Sequence, residues 1–424
     1  SDRWENMEIP EGTNHYIAFE PTQIKSVFNT EPSSSDESFQ LTVEDVAKQV
    51  KERKVRSGSE IKYGTIKGYN EIMETLSDPE FDIEGSFDWY RGKVKKSKDI
   101  ASLEIPEIGT NLEVEGLFEI ILGITSLGTK ISPNYNSSIP ILQHYLENGE
   151  FNIVKNEKGN DLIETENADG KTVRLRRPAI AEMAIKLDNL VKKMGRKEAL
   201  EWIFSSHPAK EVKEMNDGKG AHITGVADPS KQYYGASIFG PKIGRYIMNL
   251  HGVHEEAVFD LWWTRTWNRW MGTPFYTSGA KKGTLKEAPE GNPERANMDA
   301  VINNLVSDLS ESTGYKWAPD QVQAVLWYYE KQLYKRLGSP QEKGLNYTDV
   351  AIERAKKKGY YEQFTTSQDT RITKDSKGVG SVVEGESTQD TKSSQEEVVG
   401  TRNRDRKADT QKITPTDESF QIQA

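Results

Sequence analysis

Residues 236–272 read ASIFGPKIGRYIMNLHGVHEEAVFDLWWTRTWNRWMG, and this stretch decides the fold. ASIF has the look of a short helix end. Gly240-Pro241 follows as a tight turn, and Ile243–Leu250 is apolar at helical spacing. Glycine at 240 lets two backbones approach closely, and the helix after it offers amides that no carbonyl of its own helix can satisfy. Such a hairpin grips a phosphate through backbone N–H groups and needs no basic surface to do so. A second helix is expected over Glu256–Met271, dense in tryptophan at 262, 263, 267 and 270. Four indoles at that spacing cannot share one helix face, so most belong to a core and the remainder are free to stack on a ligand.

The pattern resembles the hairpin of the helix-hairpin-helix DNA glycosylase superfamily, which reads L-P-G-x-G-[RP]-K-T-A and is followed by an apolar helix and V-D-x-H-x-x-R. Gly240-Pro241-Lys242 falls on G-[RP]-K, and Asp260 and Arg265 fall on the later motif, with Arg269 and Gly272 after them. Lys242 precedes Asp260 by 18 residues, the interval between catalytic lysine and aspartate in the bifunctional branch of that family. A second match precedes it. Leu117–Asn134, LFEIILGITSLGTKISPN, is similar to the opening helices of the family, with Phe118, Glu119, Ile120, Thr129, Ser132 and Asn134 in register. Ile238 stands where the first hairpin glycine is usual, Trp262 where a histidine is usual, and Leu127 where a polar residue fills the gap left by a flipped base. An apolar wedge also does that last job.

The resemblance implies an all-α fold, a helix-hairpin-helix glycosylase-like domain, acting on double-stranded DNA without a cofactor. A base in a duplex must be flipped out before its glycosidic bond can be reached. Cleavage builds positive charge on the sugar, which a carboxylate at Asp260 stabilises while activating a nucleophile. A neutral Lys242 amine would attack C1′ and form a Schiff base. Both residues also have plainer roles: Asp260 as a helix cap, Lys242 as a phosphate contact. The expected DNA contacts are Gly240, Pro241, Ile243, Gly244, Arg245, Leu127, Thr129 and Arg265, and Trp262, Trp263 and Tyr234 are candidates for the base pocket. Two other functions share this sequence: a DNA-binding module without catalysis, and a structural or injected virion protein. The motif style also looks like modules of large phage polyproteins, which places the chain in a bacterial host cell or a virion.

Outward from the hairpin, helices are expected at Val43–Arg53, Asn111–Leu127, Ile139–Leu146, Ala179–Met194, Lys197–Ser205, Pro293–Ser310, Pro319–Leu337 and Tyr347–Lys358. Residues 151–177 differ. They alternate and carry Lys158-Gly159-Asn160 and Asp169-Gly170-Lys171 turn signals, so they read as a β-hairpin insertion in a helical domain spanning 41–363. Residues 206–230 read as loop.

The 424 residues have a mean hydropathy of −0.74 and a net charge of −10. An acidic balance is unusual for a DNA-binding protein, so any basic surface must be local, as at Arg91–Lys98, Lys171–Arg177 and Arg354–Lys358. The absence of cysteine excludes disulfides, thiolate metal sites and cysteine nucleophiles, and the histidines show no metal-ligand spacing. No apolar run approaches membrane-spanning length, and no signal peptide is visible. Residues 1–40 and 364–424 are too polar to bury a core and are expected to be disordered, apart from a short strand at His15–Phe19. Asp36–Gln40 and Asp417–Gln421 are the same pentapeptide, DESFQ. They bracket the helical body, and a processing protease acting at Gln40 and Gln421 would release it.

Overall fold

In a computed structural model, residues 42–78, 81, 87, 89–339 and 346–362 are described. All lie within one compact unit. The leader strand and the disorder of the two tails expected from the sequence, and both pentapeptides, fall outside the described residues. The described part is mostly helical, with a small antiparallel sheet. No helix in it is long and apolar enough to cross a membrane.

Two large apolar cores divide the helices into two lobes, and a small third one gathers Val46, Ala47, Leu285 and Tyr334. The chain begins in the second lobe with α1 (Val43–Val50) and α2 (Glu60–Leu76). After a π-helical turn at Trp89–Lys93 it enters the first lobe. There lie α3 (Val94–Ala101), α4 (Leu112–Thr125), α5 (Ile131–Asn148), α6 (Pro178–Met194), α7 (Arg196–Phe204), α8 (Ala209–Met215) and α9 (Ile243–Leu250). It returns to the second lobe for α10 (Leu261–Trp270), α11 (Asn292–Thr313) and α12 (Pro319–Arg336). It ends in the first with α13 (Tyr347–Lys358). The small third core packs α1 against α12 of the second lobe.

Local signals set most of these boundaries. Thr42, Asn111, Asp260 and Asn346 each accept a backbone N–H in the first turn of α1, α4, α10 and α13. Pro178, Pro293 and Pro319 open α6, α11 and α12, where the missing N–H costs nothing. The central helix α4, LEVEGLFEIILGIT, is buried on nearly every side. At Gly123 a Cβ would lie 2.4 Å from Ile247 Cγ1, so the glycine is the notch that lets α9 pack on α4.

The insertion at 151–177 carries one strand more than a hairpin. Strands β1 (Ile153–Lys155), β2 (Asp161–Glu166) and β3 (Thr172–Arg174) form an antiparallel meander, with Val154 opposite Leu162 and Thr165 opposite Val173. Its two turns are built alike. Asn156 Oδ1 accepts the amides of Lys158 and Asn160, and Asn167 Oδ1 those of Asp169 and Lys171. Leu162 and Ile163 are buried, and β2 lies against α5 and α6. A second, two-stranded sheet pairs β4 (Ser206–Pro208) with β5 (Gln232–Tyr234). Together with α8 it gives structure to the segment expected to be loop.

The second lobe is organised by α10. Trp263, Trp267 and Trp270 recur at helical spacing on one face and are buried at 1%, 2% and 0% exposure. Behind them Arg269 is held by two carboxylates in the core, Glu71 of α2 at 2.7 Å and Glu330 of α12 at 2.8 Å. Trp270 Nε1 also donates to Glu71, at 3.0 Å.

Candidate functional site

The quoted stretch folds as a short 3-10 turn (Gly235–Phe239), a tight turn, and α9. Gly240 sits at φ +106°, a conformation that L side chains rarely adopt. A Cβ on Gly244 would meet the carbonyl oxygen of Ala236 at 2.6 Å, so the two glycines let the arms of the hairpin touch. The Gly244 amide is taken by the Gly240 carbonyl at 2.9 Å. The amides of Lys242 and Ile243 have no acceptor among the described residues, and these are the hairpin's open donors.

Two side chains from other parts of the first lobe brace this hairpin. Lys186 donates to the Ile238 carbonyl at 2.8 Å, and His222 Nε2 donates to that of Ser237 at 2.9 Å. Burial lowers the His222 pKa, and nearby Arg295, Lys186 and Lys213 lower it further. Lys186 is likewise lowered, by burial and then by Lys219. Lys186, Lys213, Lys219 and Arg295 thus stand near the turn together with the carboxylates Glu182 and Asp217.

Between the lobes lies a cleft of about 560 Å³. The first lobe supplies Ser126 and Thr129–Pro133 from the α4–α5 turn, Lys242 and Tyr246 from α9, and Tyr347 from α13. The second supplies Val258, Asp260 and Trp262 from the α9–α10 segment, and Asp320, Gln323, Trp327 and Lys331 from α12. Trp89 and Tyr90 of the π-helical turn join the two walls. Lys242 and Asp260 thus meet on one cavity, although they sit in different lobes.

Asp260 caps α10: its Oδ1 accepts the Trp263 amide at 2.9 Å. The same carboxylate lines the cleft, so the cap fixes its orientation. Burial raises its pKa, opposed by the charge of Lys242 and by the amides of Trp263 and Trp262. On the facing helix, burial lowers the pKa of Lys331, opposed by Asp260. The Lys331 ammonium lies 3.9 Å from the ring centre of Trp327 and 5.6 Å from that of Trp262. Asp320, the second cleft carboxylate, faces Arg91 at 3.4 Å and His254 at 3.2 Å.

Three tyrosine hydroxyls complete the walls. Tyr246 and Tyr347 share a 2.6 Å hydrogen bond, and Asn134 Nδ2 donates to Tyr347 at 2.7 Å. Asn134 is fixed in turn by the Thr125 hydroxyl at 2.6 Å. Burial pushes the Tyr347 pKa up to about 12 and raises those of Tyr90 and Tyr246 well above the usual range. All three therefore remain hydroxyls at neutral pH.

The other expected site residues are dispersed. Thr129 lines the cleft, and Leu127 stands beside it in the same turn, half-buried against the first core. Pro241 forms the hairpin turn, and the Ile243 side chain is buried, leaving only its amide for a ligand. Arg245 is occupied inside the protein: both terminal nitrogens meet Asp299 at 2.8 Å, and its guanidinium lies 4.6 Å from the Phe259 ring centre. Arg265 rests over Trp262 and Tyr334, at 4.6 and 5.8 Å, and does not line the cleft. Trp262 does line it, whereas Trp263 is in the core and Tyr234 donates to Glu255 at 2.7 Å outside it. The wall residues Tyr90, Tyr246, Asp320, Gln323, Trp327, Lys331 and Tyr347 had no local signal in the sequence. WYYEK at 327–331 is unusually aromatic, but nothing local says which side faces a cavity.

No protein-family model matches the chain, and neither does any curated protein or solved structure.

Proposed function

We propose that the chain is a DNA base-excision glycosylase that receives a flipped nucleotide in the cleft between its lobes. The observation that carries this is the meeting of Lys242 and Asp260 on one cavity, with the open amides of the hairpin at its edge. A cavity of about 560 Å³ falls in the ordinary range for small-ligand sites. Trp89, Trp262 and Trp327 offer faces for stacking a base, and the tyrosine hydroxyls offer donors to its edge.

In this mechanism the Lys242 and Ile243 amides hold a phosphate of the target strand, and the cations near the hairpin, Lys186, Lys213, Lys219 and Arg295, attract neighbouring phosphates. Leu127, on the turn at the cleft, fills the space that the nucleotide leaves. Asp260 is fixed by its cap and set in a partly buried wall. It stabilises positive charge developing on the sugar and accepts the proton of the attacking nucleophile. Lys242 follows with its amine at C1′, giving a Schiff base that permits strand cleavage.

The test is incubation with duplexes carrying a panel of damaged and modified bases. Free base is detected by mass spectrometry, and borohydride is added to trap any covalent complex. Free base with trapping that is lost in Lys242→Gln supports both roles. Free base without trapping reduces Lys242 to a phosphate contact. No base from any duplex removes the proposal.

A further inference from the structure

Lys331 lines the cleft, and among the described residues no carboxylate forms a salt bridge with it; its ammonium sits between the indoles of Trp327 and Trp262, 3.9 and 5.6 Å from their ring centres. An ammonium partly withdrawn from water and left without a salt bridge is costly. The neighbouring Glu330 is turned the other way and spent on Arg269. Lys331 therefore invites a functional account.

Excision needs two things besides a flipped base: a group for the sugar and a group for the base. Asp260 serves the first. The second is unassigned, because a base that leaves with the glycosidic electron pair leaves as an anion unless something protonates it. We propose that Lys331 is the acid that protonates the departing base. The inference rests on the excision reading above and names a further catalytic residue for it.

The step balances. The C1′–N bond breaks and its electron pair passes to the base. Lys331 Nζ gives the base a proton and becomes a neutral amine. The nucleophile, water or the Lys242 amine, bonds to C1′ and releases a proton to Asp260. Asp260 then loses that proton to solvent and Lys331 regains one.

The surroundings suit both groups to these tasks. Burial raises the Asp260 pKa and lowers that of Lys331, so each moves toward neutrality, where proton transfer in both directions is efficient. The charged groups that line the cleft with Lys331 are Asp260, the cap of α10, Lys242 at the start of α9, Lys130 of the α4–α5 turn and Asp320 of its own helix, and of these Asp260 acts on the Lys331 charge. Arg265 lies over Trp262 beside them. The tyrosines of the cleft stay neutral. Asp320 is matched by Arg91 and His254, which leaves Asp260 as the carboxylate that acts on Lys331.

The experiment compares wild type, Lys331→Met and Lys331→Arg in single-turnover base release. One set of duplexes carries uracil or 8-oxoguanine, which depart as anions. The other carries 3-methyladenine or 7-methylguanine, which are already cationic and need no acid. Lys331→Met is expected to slow release of the first set by about 10²-fold or more and of the second by less than about 3-fold. Lys331→Arg, which keeps charge but cannot give up its proton near neutrality, should restore part of the rate and abolish the fall in rate at high pH. Melting curves and duplex affinity establish that the variants are folded and bind. Equal slowing of both sets, a high-pH fall that persists in Lys331→Arg, or a wild type that releases only cationic bases overturns the proposal. A wild type that releases no base overturns the excision reading, and this inference with it.

Discussion

The side-chain amide of Gln323 closes on the backbone of Val258 in both directions. Its Oε1 accepts the Val258 amide at 2.7 Å and its Nε2 donates to the Val258 carbonyl at 2.6 Å. Asn249 Nδ2 holds the Glu256 carbonyl at 2.9 Å and Arg245 that of Ala257 at 3.2 Å. The segment joining Lys242's helix to Asp260's is therefore pinned from α9 and α12, and Gln323 fixes the backbone two residues before the carboxylate, where the Val258 carbonyl also accepts the Asp260 amide at 2.8 Å.

Gln323→Leu is expected to lower the rate constant for base release by about 10–10²-fold, because small displacements of a catalytic group are expensive. Duplex affinity should change little, since the hairpin is untouched. Gln323→Glu should in addition move the acid limb of the pH profile upward, because a new negative charge near Asp260 disfavours its ionised form. Single-turnover rates across pH check both. A loss of duplex affinity equal to the loss of rate would mean that Gln323 only supports the fold.

Arg269 lies at 4% exposure between Glu71 and Glu330. Arg269→Met leaves two carboxylates buried without their cation and is expected to cost about 3–5 kcal/mol. Urea unfolding measures it. A loss below about 1 kcal/mol would mean that water reaches the triad.

Asp188 of α6 is buried, and its pKa is pushed up to about 6, the Phe151 amide opposing burial. A raised carboxylate favours the folded state only while protonated. Its contribution is complete below the ordinary value near 3.8 and is lost as pH rises through about 6. Asp188→Asn should therefore match wild type near pH 4 and exceed it by about 1–3 kcal/mol at pH 7. Thermal melts across that range decide it, and a gap that does not grow with pH contradicts the account.

The Gly240 conformation at φ +106° is strained for any L side chain, although space around it is open. Gly240→Val is expected to cost about 1–3 kcal/mol in the turn and to weaken binding to duplexes of any sequence. Fluorescence anisotropy on a folded variant reads this. Unchanged affinity would take the hairpin out of the DNA interface.

Much of the helical frame was legible in the sequence, because its signals are local. Ile243–Leu250 and Tyr347–Lys358 have the bounds that their apolar spacing and the Asn346 cap indicate. The helix expected from Glu256 begins instead at Leu261. Gln323, distant in sequence, takes up both backbone polar groups of Val258, and Asp260 supplies the cap. Helix α2 was not expected at all. Its EIKYGTIKGYNEIMETL is interrupted by two glycines, and its buried Glu71 is explained by Arg269 and Trp270, 198 and 199 residues away. The site divides the same way. Lys242 and Asp260 were visible as a motif with a spacing. Lys331, Tyr90 and Tyr246 became site residues only when α12 and the π-helical turn were placed against the hairpin lobe. Arg245 and Arg265, free cations on paper, are taken up by Asp299 and by Trp262.

The most direct measurement is release of free base from a modified duplex by wild type and by Asp260→Asn, read by mass spectrometry under single-turnover conditions with duplex affinity measured alongside. The account predicts base release by wild type, a fall of about 10³-fold or more in Asp260→Asn, and affinity within about 3-fold of wild type. A variant that releases base at the wild-type rate would contradict it, leaving Asp260 as a helix cap and nothing more.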